Sequence, residues 1–143
     1  MALLSWPAEL PQRMLVDAYN RTGRDGVEAT DMKAGPPKTR LRTSSAVEPL
    51  QGAVEVRTAG LARFRRFYNE ELKFGSKLFW IRDQAFDGQP LTTGDGSILT
   101  NADGEPLLQS AHWLVMFTPG SPPRETNLRG DEWRISFNLI ILP

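Results

Sequence analysis

Residues 133–142 alternate between two kinds of side chain, and this alternation constrains the fold more than any other feature of the sequence. Successive side chains of a β-strand point to opposite faces, so one face of this segment is apolar and the other is mixed. The apolar face holds Trp133, Ile135, Phe137, Leu139 and Ile141, and the opposite face holds Arg134, Ser136, Asn138, Ile140 and Leu142. The pattern predicts a long strand that lies at the centre of a sheet.

Residues 59–74 form the one segment with clear helical periodicity. Its apolar side chains recur at spacings of three and four residues, at Leu61, Phe64, Tyr68 and Leu72. Thr58 is a suitable N-cap, and Gly75 is suited to end the helix. We therefore predict one amphipathic helix whose apolar stripe packs against a sheet.

The remaining chain reads as short strands and loops. Strands are predicted at residues 12–18, 36–49, 53–57, 78–81 and 113–117. Residues 20–35 are predicted to form a loop or an irregular hairpin, and residues 118–130 a loop. A chain of 143 residues is of the size that forms one hydrophobic core. We predict a single domain over residues 1–143, mainly β, built as a β-sandwich or an open barrel with one packed α-helix.

Residues 86–109 differ in composition from the rest, being rich in Gly, Asp, Thr and Asn. Asn101, Asp103 and Gly104 predict a turn between the apolar pairs 98–99 and 107–108, so we expect an insertion that contains a hairpin. The acidic residues near this turn lack the distal glutamate of a calcium loop, and the glycines near Asp95 are expected to serve a turn. No internal repeat is predicted anywhere in the chain.

The sequence offers little for catalysis. There is no cysteine, and His112 is the only histidine, so thiol chemistry and a zinc site built from Cys and His are not expected. We predict no catalytic residue, no metal and no cofactor. A Ser-His-Asp arrangement through His112 stays open, because its members meet only in the fold. Asp83 and Asp87 are the carboxylate pair to test for glycan hydrolysis.

Basic and acidic side chains balance at 17 each, but unevenly along the chain. Residues 1–82 hold 14 Lys or Arg against 9 Asp or Glu, whereas residues 83–143 hold 3 against 8. The two regions either cancel within the fold or meet across a head-to-tail contact between subunits. The balance disfavours nucleic acid as a partner, although Arg63, Arg65 and Arg66 beside Phe64 leave an aromatic, basic platform open. No secretory signal or membrane span is predicted, and the chain is expected to stay soluble.

The order of these elements resembles that of a known family. The features are Gln12-Arg13 before a polar loop, a basic strand at residues 40–42, the helix segment Leu-Ala-Arg-Phe-Arg-Arg-Phe-Tyr at residues 61–68, then Gly75, Phe79-Trp80, Trp113 and the terminal strand. In this order the chain is similar to the small minor tail proteins of long-tailed, lambda-like bacteriophages, relatives of the distal tail protein family. The insertion at residues 86–109 departs from the compact form of that family.

The resemblance implies a β-sandwich protein that forms a hexameric ring at the tail tip of the virion, after synthesis in the host cytoplasm. The implied partners are copies of itself, the tail tube protein, the tail hub protein and the tape measure protein, with no membrane. Candidate subunit-interface residues are Arg63, Arg65, Arg66, Asp95, Ile98, Asn101 and Asp103. Another tail or neck ring protein, such as a tube or terminator protein, and a small nucleic-acid-binding β-barrel are the alternatives.

Overall fold

The computed structural model describes residues 3–30, 33–41 and 46–143. Within these ranges one helix and nine strands follow the chain. The helix is α1 (Thr58–Arg66), continued by a π-helical turn (Phe67–Glu71). The strands are β1 (Leu4–Ser5), β2 (Asn20–Arg21), β3 (Val27–Thr30), β4 (Lys38–Leu41), β5 (Glu48–Arg57), β6 (Phe79–Arg82), β7 (His112–Phe117), β8 (Arg124–Arg129) and β9 (Glu132–Ile141).

Seven strands form one sheet in the order β1, β6, β7, β9, β5 and β2, with β8 also paired to β9. Strands β1 and β6 run parallel, and the other pairs of this sheet are antiparallel. Strand β9 pairs with β5 along its whole length on one edge, and with β8 and then β7 on the other. The prediction of a long terminal strand at the sheet centre is confirmed.

The hydrophobic core lies on one face of this sheet. Alternate residues of β5, β6, β7 and β9 are buried there, and α1 and the N-terminal segment cover them. The Trp6 indole lies at the centre, with ring centroids 5.7–6.2 Å from those of Phe64, Phe67, Phe79 and Phe137. We call the sheet, the helix and this core the body.

The helix follows β5 without a loop, and its buried side chains are Leu61 and Phe64, followed by Phe67 in the π-helical turn. Arg57 is the N-cap and forms no side-chain capping bond, so the prediction of Thr58 as the N-cap is wrong by one residue. The helical segment ends at Glu71, short of the predicted end at Phe74, since Lys73 and Phe74 have φ of +51° and +61°. Gly75 has φ of +85°, and a Cβ there would lie 2.9 Å from the Tyr68 ring.

The fold class is confirmed as mainly β with one packed helix, in a multi-stranded mixed sheet plus a two-stranded sheet of β3 and β4. Two local predictions are wrong. Residues 12–18 form turns, because Met14 packs into the core while Leu15 donates its N–H to the Ala53 carbonyl. Residues 118–130 contain β8, whose side chains are mostly exposed and so give no alternating pattern.

Two further predictions hold in part. The strand predicted at residues 36–49 is observed only as β4, with β5 beginning at Glu48, and Arg42 lies outside the described residues. Residues 20–35, predicted as a loop or irregular hairpin, contain β2 and β3.

Candidate assembly surface

The predicted interface residues fall into two groups that lie on different parts of the molecule. The first group is on α1, where two of the three arginines are held within the chain. Arg63 lies 2.9 Å from Glu71 and 3.5 Å from Glu9, and the hydrogen bond that it donates to the Glu71 carboxylate raises its pKa despite partial burial. Arg65 forms an ion pair with Glu125 on β8. Arg66 forms no ion pair with another described residue.

The second group lies in the connection from β6 to β7, which carries Asp95, Ile98, Asn101 and Asp103. We define the arm as residues 88–109 of this connection. Every residue from 88 to 108 is exposed, so the arm stands away from the core. The structure therefore places these four residues together on one exposed unit.

Three leucines of the arm are hydrogen-bonded to one another in a closed ring. Leu91 donates its N–H to the Leu107 carbonyl at 2.8 Å, Leu99 donates to Leu91 at 2.9 Å, and Leu107 donates to Leu99 at 2.9 Å. Three chain segments therefore meet side by side, where the predicted hairpin would contain two. The predicted turn at Asn101–Gly104 is present as one part of this arrangement.

Two further sets of backbone hydrogen bonds repeat with the same three-fold relation. In one set a backbone N–H donates to a backbone carbonyl from Gln109 to Gln89 at 2.7 Å, from Thr93 to Ser97 at 2.8 Å and from Asn101 to Glu105 at 2.9 Å. In the other set the bonds run from Gly88 to Gln109, from Gly96 to Thr93 and from Gly104 to Asn101, at 2.7, 3.0 and 3.0 Å. The arm is thus a pseudo-three-fold unit: two of its corners are tight turns, and the third is where the chain enters and leaves.

An eight-residue repeat in the sequence accounts for this symmetry. Asp-Gly recurs at positions 87–88, 95–96 and 103–104, and a leucine follows each glycine three residues later, at positions 91, 99 and 107. The glycines have φ of +80°, +90° and +81°, a left-handed conformation that glycine adopts without steric cost. This repeat is not among the predictions made from the sequence, although the even spacing of Asp-Gly is a pattern from which it could be recognised. Its period of eight residues is much shorter than the 20–50-residue periods of ordinary repeat proteins.

The arm is acidic and carries no compensating cation. It contains Asp95, Asp103 and Glu105, and no Lys or Arg. The Asp95 carboxylate accepts hydrogen bonds from the Thr93 hydroxyl and the Ser97 N–H, which lower its pKa. In the next turn the side-chain carbonyl of Asn101 takes the equivalent capping role. The carboxylates of Asp103 and Glu105 form no ion pair within the part of the chain that the structure describes.

Apolar side chains are exposed along the same unit. The side chains of Leu91, Leu99 and Leu107 are 37%, 39% and 40% exposed, so their environments are nearly equivalent. Ile98 and Leu108 are exposed further, at 53% and 61%. Exposed apolar side chains gathered on one projecting unit are typical of an interaction surface, whereas single exposed apolar residues are ordinary.

Two buried carboxylates fix the root of the arm. The Asp83 carboxylate accepts the N–H groups of Ala85 and Phe86 at 2.8 and 3.0 Å. The Asp87 carboxylate accepts the Ala111 N–H at 3.0 Å and lies 3.4 Å from the Arg82 guanidinium. The hydrogen bond from Ala111 lowers the pKa of Asp87 although the side chain is buried. The pair considered for glycan hydrolysis therefore anchors backbone where the arm leaves the sheet.

A second projecting element is the hairpin of β3 and β4, in which all eight strand residues are exposed. The register places Val27 opposite Leu41 and Ala29 opposite Thr39, so these residues share one face. The other face carries the charged residues, where Arg40 forms an ion pair with Glu28. Val27 is 48% exposed and Leu41 is 71% exposed. An isolated two-stranded hairpin is marginally stable in water, so this element gains from being covered.

The body offers little that resembles a catalytic site. A groove of about 500 Å³ lies beside the loop that precedes β8, and Arg124 is the one ionisable side chain in its described lining. The His112 imidazole forms no hydrogen bond with another described residue. The rings of Phe64 and Phe67 are buried in the core, so they are not exposed for base stacking.

Among the described residues there is no group of three or more His, Asp or Glu side chains placed to hold a metal ion. A helix long and apolar enough to cross a bilayer is likewise not found in the described ranges. Comparison with protein-family models, with curated proteins and with solved structures finds no match for this chain.

Proposed function

We propose that this chain is a structural, non-enzymatic component of a phage tail tip, which forms a ring with copies of itself and joins the tail tube to the baseplate hub. The observation that carries the self-assembly part of the proposal is the arm. It has a defined backbone, three equivalent exposed leucines and an unbalanced negative charge. Such a surface is costly for a monomer to leave in water, and it serves a protein that buries it on a partner.

The tail-tip part of the proposal rests on the resemblance in element order. The confirmed fold class, mainly β with one packed helix, is what that resemblance implies. A head-to-tail contact repeated by rotation closes into a ring, which would leave one end of the ring for the tube protein and the other for the hub. The alternative of a nucleic-acid-binding barrel is weakened by the burial of Phe64 and Phe67 and by the ion pairs of Arg63 and Arg65.

The test is the native mass of the purified protein over a concentration series, with electron microscopy of any large species. The proposal predicts a closed ring of six copies of the 16.0 kDa chain. A protein that stays monomeric up to the highest concentrations would contradict self-assembly. If that monomer also bound single-stranded DNA in a salt-dependent way, the nucleic-acid-binding alternative would replace the proposal.

A further inference from the structure

We infer that the arm of one copy docks on the β3–β4 hairpin of a neighbouring copy, so that the ring contact is heterologous. This inference rests on the self-assembly proposed above and names the two surfaces that meet. The chain has two projecting elements that differ in charge. The arm and the hairpin both project from the body, both expose apolar side chains, and they carry charges of opposite sign.

The region around the hairpin carries more positive charge than its ion pairs within one chain neutralise. Residues 20–42 hold six Lys or Arg and three Asp or Glu. Arg21 and Arg24 are held by Glu48, and Arg40 is held by Glu28. Lys33 and Lys38 make no ion pair with any described residue. With Glu48 added to the three acidic residues of this region, six cations face four carboxylates, so the hairpin region keeps a positive surplus. This surplus complements the carboxylates of the arm and would steer the two surfaces together.

The apolar surfaces also match in kind. The Val27 and Leu41 side chains form an exposed cross-strand pair on one face of the hairpin, with Lys38 and Arg40 on its other face. In the arm, Leu91, Leu99 and Leu107 present three nearly equally exposed apolar side chains, and the same unit carries Asp103 and Glu105. Because Lys38 and Arg40 lie on the opposite face of the hairpin, the apolar side chains would form the contact itself, and the charges would steer the approach of the two surfaces. The contact would also stabilise a hairpin that is marginal alone.

The two surfaces belong to different positions in the chain, so each copy can offer an arm to one neighbour and a hairpin to the other. No hydrogen bond or ion pair joins the arm to the hairpin within one chain, as far as the described residues show. A contact of two different surfaces repeats by rotation, and it closes into a ring when the rotation allows. A self-complementary contact, by contrast, would stop at a dimer.

Cysteine cross-linking tests the contact directly, because the chain has no cysteine of its own. We would mix a Leu41→Cys variant with a tagged Leu99→Cys variant under mild oxidation, after measuring the native mass of the mixture. The control replaces Leu99→Cys by Leu128→Cys on β8, a position of similar exposure. A disulfide between the two chains needs Cα atoms within about 7 Å. We expect covalent dimers with Leu99→Cys and none with Leu128→Cys.

Charge reversal gives a second readout that needs no oxidation. The double variant Asp103→Lys with Glu105→Lys removes no hydrogen bond of the arm, and it should weaken assembly about tenfold. The double variant Lys33→Glu with Lys38→Glu leaves the Arg40–Glu28 ion pair intact, and it should restore assembly when it is mixed with the arm variant. If the copies assemble but neither the disulfide nor the rescue is observed, the docking inference is wrong and the proposed function stands. If no variant or wild-type chain assembles at any concentration, both are wrong.

Discussion

The body and the arm of this protein are stabilised by different means. In the body, side chains from four strands and a helix are buried around Trp6, and the core residues are almost fully shielded from water. In the arm, no residue from 88 to 108 is buried, and the structure is held by three sets of backbone hydrogen bonds and by side-chain caps at its turns. The comparison indicates that the body supplies stability and the arm supplies a surface.

The difference also has an energetic meaning. Burial of an apolar side chain contributes about 1.5–3 kcal/mol to stability, whereas the net contribution of a backbone hydrogen bond is about 0.5–1.5 kcal/mol. A unit held only by hydrogen bonds therefore opens more readily than one with a core. Docking on a partner would bury the arm's leucines and provide the apolar contact that the arm lacks within one chain.

The largest expected effect is the difference in stability between a large-to-small substitution in the body and one in the arm. Phe79 is fully buried, with ring centroids 5.4 Å from Phe67 and 5.5 Å from Phe117, so Phe79→Ala should lower the free energy of unfolding by about 3–5 kcal/mol. Leu99→Ala in the arm should change it by no more than about 0.5 kcal/mol. Urea denaturation of the two variants measures both values. Similar losses at the two sites would show that the arm shares the core of the body.

An intermediate effect is expected from the left-handed glycines of the arm. Gly96→Ala places a Cβ in open space but at φ of +90°, so the cost is backbone strain of about 1–2 kcal/mol. Local opening should then rise about five- to thirtyfold, and hydrogen exchange of the arm amides should detect it while the body amides stay unchanged. Gly94→Ala is the matched control, because it also faces open space and has no positive φ. Equal exchange in the two variants would contradict the role of the left-handed turn.

The smallest effect concerns the root, where Asp87 joins the arm to the body. Its pKa is lowered in the folded protein, so the ionised carboxylate stabilises the root above its unfolded pKa of about 3.9. That contribution is lost as the pH falls through the lowered value. Protection of the Ala111 amide from exchange should therefore decrease on acidification below about pH 5. Asp87→Asn keeps an oxygen acceptor but does not titrate, and its protection should not follow this pH dependence. The same decrease in both proteins would contradict the assignment.

The same comparison explains which parts could be predicted from the sequence. Strand β9 and the helix were predicted because their apolar residues have periods of two and of three to four, and these periods record the face that becomes buried. Strand β8 was missed because almost nothing in it is buried, so it owes its place to pairing with β9. The arm was predicted only as a hairpin, since hydrophobic periodicity says nothing about a unit without a core.

The predicted interface residues on the arm and those on α1 differ for a related reason. Asp95, Ile98, Asn101 and Asp103 do lie together on the arm, because turn residues such as Asp, Asn and Gly mark exposed corners. Arg63 and Arg65 are predicted as interface residues from their charge, but charge alone does not reveal their partners. Glu71 lies in the π-helical turn that follows α1, and Glu125 lies 60 residues away on β8. The hairpin of β3 and β4 was recognised as an exposed basic strand without its apolar face.

The most direct test of the account compares the native mass of the wild-type chain with that of a chain without its arm. The backbone hydrogen bond from Gln109 to Gln89 is 2.7 Å long, so residues 90–108 can be replaced by an Asn-Gly turn that joins these two residues. Circular dichroism and thermal unfolding would show that the body is still folded. The account predicts closed rings for the wild-type chain and monomers for the shortened one. Rings of the same size from both chains would contradict it.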